Sequence, residues 1–69
     1  MSKETIIKEI EELIEYYKEQ VKDTEALLLI HKDDEALILL NKEYKNKLIE
    51  LTEFHTLLKE EKWQQDMVN

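Results

Sequence analysis

The sequence predicts an all-α protein, a two-helix antiparallel hairpin that dimerises into a four-helix bundle. Three observations predict it. Apolar residues recur at steps of three and four along two long segments, and Gly and Pro are absent from all 69 positions. Around the one candidate break, the apolar residues are more than a single helix–helix contact covers. A chain this short supports one domain, read as a helical hairpin spanning residues 1–69.

Ser2 opens the first segment. Its hydroxyl can accept from an early backbone N–H, and Glu4 follows in the turn where the helix dipole favours negative charge. The stripe then runs Ile7, Ile10, Ile14, Tyr17, Val21, Thr24, Leu28 and His31, widened by Ile6, Leu13 and Leu27. This predicts a helix over about 3–30 and a turn at about 31–33. Asp33 or Asp34 can cap a second helix, over about 34–64, with a frayed tail at 65–69. Its stripe reads Leu37, Leu40, Tyr44, Leu48, Leu51, His55 and Leu58, with Ile38 and Phe54 beside it.

Two rivals compete with the hairpin. Nothing between His31 and Asp34 forbids continuation, so one uninterrupted helix is the first. Folding back is preferred because it buries a wide apolar face over ~60 residues more easily than a single rod does. A three-helix chain broken near Asp23 is the second rival. Residues 23–32 and 33–42 match at six of ten positions, an acidic start followed by Ala and Leu. The stripe passes through Thr24 without a change of phase, and the near-repeat reads as chance convergence on a good helix start.

Composition closes most catalytic routes. Without Cys there is no disulfide, thiol nucleophile or Cys-based zinc site, and without Gly there is no P-loop, dinucleotide fingerprint or nucleophile elbow. Of the two histidines, His31 has Glu35 four residues on but with the predicted break between them, His55 has Leu51 and Leu58 as same-face neighbours, and no His-x-x-x-His or Glu-x-x-His spacing occurs. Ser2 is the only serine, and Thr5, Thr24, Thr52 and Thr56 read as helix-face residues. A hairpin of this kind is also expected to lack a concave pocket of ~300 Å³ or more. No catalytic, cofactor-binding or metal-binding residues are assigned, and the chain is read as a non-enzyme.

The longest apolar runs, residues 26–30 and 36–40, fall far short of the ~20 residues of a membrane span. Met1-Ser2-Lys3-Glu4 leads into an acidic amphipathic pattern unlike a signal peptide. The expectation is a cytoplasmic protein with no membrane partner. Gly, Pro and Arg are absent and Ala occurs only at Ala26 and Ala36, a bias against GC-rich codons that points to a low-GC bacterium, its phage or a plasmid.

Charge is uneven. Residues 1–35 hold 11 acids and 5 lysines, a net of −6, whereas residues 36–69 hold 6 acids and 5 lysines, a net of −1. Glu11, Glu12, Glu15 and Glu19, with Tyr16 among them, form a candidate partner-binding face on the first helix. Such a chain repels phosphate, so direct DNA or RNA binding is disfavoured. The same carboxylates, spaced at ~5–6 Å, could instead imitate a row of phosphates in the basic cleft of a nucleic-acid-binding protein.

Leu27, Leu29, Ile30, Ile38, Leu39 and Trp63 are the candidate apolar residues for self-association or docking. A homodimer covers those near the turn most simply, and docking of a different protein is the alternative. Trp63 and Met67 are expected to close the open end against Ile6 and Ile7. The leading functional reading is a small acidic regulator of a larger protein, of inhibitor, antirepressor or adaptor type, working as a helical homodimer. A nucleic-acid mimic and a structural assembly factor are the alternatives.

Overall fold

The computed structural model describes residues 2–60. They form α1 (Lys3–Ile30) and α2 (Glu35–Glu60), paired antiparallel in a rod of 53 × 17 × 15 Å, with no strand among the described residues. The Ser2 hydroxyl accepts from the Thr5 backbone N–H at 3.2 Å and lies 2.9 Å from the Thr5 hydroxyl. The first turn of α1 is thereby capped by a side chain and satisfies donors that no helical carbonyl can reach. Trp63, Met67 and the end of the second predicted helix lie outside the described residues.

The turn works without glycine. At the end of α1, His31 takes φ −113° and its N–H donates to the Leu27 carbonyl at 2.9 Å. No left-handed residue is needed at that cap. The Asp34 N–H then donates to the His31 carbonyl at 3.2 Å, and the Asp34 carboxylate accepts from the Leu37 N–H at 3.1 Å. Of the two acids proposed to cap α2, Asp34 is the one that does so. Asp23 lies within α1, so the three-helix alternative is excluded.

The seam explains why the chain folds back. On α1 it steps by three and four from Ile7 to Leu28, and uninterrupted continuation through His31 would place Glu35, Ile38, Lys42, Lys45, Ile49 and Thr52 against a neighbour. The seam of α2 instead starts one residue earlier, through Leu37, Asn41, Tyr44, Leu48, Leu51, His55 and Leu58. One residue is about 100° of helix rotation, so a straight rod would leave the two seams on different faces. The hairpin aligns them.

One seam position corrects the sequence reading. Leu40 was expected in the stripe, but it is exposed and Asn41 occupies the seam at 7% exposure. Its partner is Thr24, at 5%. The Asn41 Nδ2 donates to the Thr24 hydroxyl at 2.8 Å, and the single proton of that hydroxyl is shared between the carbonyls of Gln20 (2.8 Å) and Val21 (3.1 Å). A satisfied polar layer inside an apolar seam fixes which residues face each other, because slipping the register would bury both groups unpaired. Ile10 and Leu58, at 6% and 4%, are the buried apolar residues among those described.

Candidate functional site

From the Thr24–Asn41 contact the antiparallel register sets Tyr17 level with Leu48, Ile10 with His55 and Ile7 with Leu58. Every seam residue has one neighbour to each side, so the hairpin carries two long flanks. They are built from different chemistry.

The first flank is ionic. Glu11, Lys18 and Glu25 of α1 lie along it with Lys45, Thr52 and Lys59 of α2. Lys45 pairs with Glu25 at 3.0 Å, and Lys59 reaches Glu11 at 4.0 Å. His55, whose side chain is 20% exposed at the edge of the seam, brings Nε2 to 2.9 Å from the Glu11 carboxylate. An ionised carboxylate can only accept, so the histidine carries its proton on Nε2. This hydrogen bond is the main reason the Glu11 carboxyl sits below its ordinary 4.5; partial burial opposes it, and the charges of His55 and Lys59 add to it.

Glu11, Ile14, Glu15, Lys18, Thr52 and His55 line an open groove of about 510 Å³ on this flank. The sequence reading expected no concavity of ~300 Å³ or more. The difference arises because Thr52 is short where its neighbours along the flank are lysines. Among the described residues no three His, Cys, Asp or Glu side chains gather as a metal would require.

The predicted acidic face is split. Glu11 turns toward α2 and is engaged by His55 and Lys59. Glu15 is bound to Lys18 at 3.3 Å, whereas Glu12 and Glu19 project from the outer side of α1. Tyr16 is 53% exposed, with its ring edge-on to Tyr17 at 5.1 Å; Tyr17 in turn meets Tyr44 across the seam at 5.9 Å.

The opposite flank is apolar. Ile6, Leu13, Gln20 and Leu27 lie along α1, and Leu40, Lys47 and Phe54 along α2, each one residue before a seam position. Leu13, Leu27, Leu40 and Phe54 all remain more than two-fifths exposed. Near the turn, Ala36, Leu39, Leu40 and Glu43 line a shallow depression of about 190 Å³.

The predicted docking residues therefore do not share one surface. Leu27 and Ile30 belong to the apolar flank, and Leu39 adjoins it through Leu40. Leu29 and Ile38 face the ionic side, Leu29 at 76% exposure, and Trp63 lies outside the described residues. The sequence reading missed the His55–Glu11 pair, which joins residues 44 apart, and also Leu13, Leu40 and Phe54 as a flank. Their signal was the heptad interval, seven residues from Leu13 to Gln20 to Leu27 and from Leu40 to Lys47 to Phe54.

No known protein family, curated protein or solved structure is detectably similar to this chain. Among the described residues no helix is long and apolar enough to cross a membrane.

Proposed function

We propose that the chain is a small acidic regulator that works by binding a larger protein, as an inhibitor, antirepressor or adaptor, and that its working form is a helical homodimer in the cytoplasm. One observation carries this reading. Among the described residues, eleven large apolar side chains are exposed, while only Ile10 and Leu58 among the apolar residues are buried. Covering one leucine is worth ~1.5–3 kcal/mol, so a surface of this kind gains most of its stabilisation from association.

The mimic reading rests on the acidic row, and the ion pairs of Glu11 and Glu15 weaken it by engaging two of the four carboxylates within the chain. Capture of a protein partner at ~0.15 M and ~0.5 M salt separates the two readings. Retention at high salt, unaffected by Glu12→Lys and Glu15→Lys, is the outcome expected for the regulator. Release by salt and by both reversals would replace it with mimicry. Oligomers larger than dimers in light scattering would favour an assembly factor instead.

A further inference from the structure

We propose that the apolar flank is the homodimer interface, and that a second copy docks on it with its turn beside the first copy's turn, α1 of each copy lying over α2 of the other. The proposal rests on the homodimer reading above and adds the face and the orientation. The register along this flank sets Leu27 beside Leu40, Gln20 beside Lys47 and Leu13 beside Phe54. Apolar, polar and apolar pairs thus alternate at intervals of seven residues, about 10 Å.

Such a pattern matches itself under either of two two-fold axes. An axis across the rod would place the turns at opposite ends, stack Lys47 on Lys47 of the second copy and set the acidic α1 against itself. An axis along the rod places Gln20 against Lys47 of the second copy, and Leu27 against its Leu40. It also opposes the half of the chain carrying −6 with the half carrying −1. Charge therefore selects the second arrangement, because like charges directly opposed cost association energy. Both keep every adjacent helix antiparallel, as in an up-and-down four-helix bundle.

The area is sufficient. A face of 53 × 17 Å offers about 900 Å², against the ~800 Å² per partner of a standard stable interface. The opposite side also exposes Leu29, Ile38 and Ile49, but the charged side chains of Glu11, Glu25, Lys45 and Lys59 run between them and would have to be desolvated by a second copy docking there.

The chain has no cysteine, so Asp33→Cys gives one unique spin-label site in the turn. In the full chain, dipolar spectroscopy should find labels about two helix diameters apart, ~20–25 Å. A separation of about 40 Å, twice the distance from the Lys47 level to the turn, would overturn the orientation. In parallel, Leu27→Glu with Phe54→Glu should weaken the dimer at least 100-fold in sedimentation while helicity persists, and Ile49→Glu on the other side should leave it intact. A dimer indifferent to the double variant overturns the face and spares the homodimer reading. A wild-type monomer at every concentration removes both.

Discussion

The two flanks of the seam occupy equivalent heptad positions, yet the charged groups of one are paired within the chain while the apolar row of the other is left half exposed. On the ionic flank, Glu25 finds Lys45 and Glu11 finds His55 and Lys59 within the same chain. On the apolar flank, Leu13, Leu27, Leu40 and Phe54 are half covered by their own hairpin, which is too thin to bury them further. Charged groups can satisfy one another in water-exposed pairs. Apolar groups are satisfied only by exclusion of water, and a two-helix rod has no third layer to supply it. The ion pairs of one flank are made within the chain, and the apolar row of the other, with the larger latent stabilisation, needs another molecule.

The largest effect is expected at the seam, which both flanks share. Ile10→Ala should lower unfolding stability by ~2–5 kcal/mol, read by denaturant titration of the helical signal. A seam variant that cost nothing would mean that the flanks, not the seam, hold the hairpin.

Next, the chemistry of the ionic flank can be copied onto the apolar one. Leu27→Lys with Leu40→Glu should preserve the hairpin as a Lys–Glu pair across the flank and weaken self-association at least tenfold in sedimentation. Unchanged association would break the contrast between the flanks.

A smaller effect is expected from the ion pairs. Lys45 and Glu25 are each about half exposed, so Lys45→Gln should cost under ~1 kcal/mol, and the loss should shrink in high salt. A larger or salt-independent loss would show that the ionic flank contributes more than its exposure implies.

The smallest is a pH dependence. The Glu11 carboxyl sits below 4.5 in the folded chain, so its contribution to stability is fully present above pH 4.5 and is lost as pH falls through the lowered value. Comparing native and Glu11→Gln chains by thermal denaturation should show the native advantage at pH 6 disappearing on acidification below 4.5. An advantage that persisted would assign it to packing.

Much of this architecture was legible in the residues. Without Gly or Pro, two long three-and-four stripes leave little but helices, and the break fell to the acid pair beside His31 because Asp can cap a helix there. Asn41 was overlooked for a physical reason. Leu40 is the more apolar neighbour, and hydrophobicity alone prefers it, whereas the rhythm Leu37, Asn41, Tyr44 continues the seam without a stutter. The one-residue offset between the seams was also present in the sequence, and it distinguishes a hairpin from a rod better than the turn residues do. The pairing of His55 with Glu11 was not legible, since it depends on a register that only the folded turn and the Thr24–Asn41 contact establish. Nor was the division of the acidic row, which follows from Glu11 lying one residue beyond the buried Ile10.

In the proposed dimer the apolar flank, rather than charge, brings two copies together. Sedimentation equilibrium of the full chain, run over a wide concentration range at ~0.1 M and ~0.5 M salt, tests it most directly. The expected result is twice the chain mass of 8.4 kDa, with a dissociation constant unchanged or tightened by salt because apolar contacts are not screened. A chain that stays at 8.4 kDa, or a dimer that high salt dissociates, would contradict it.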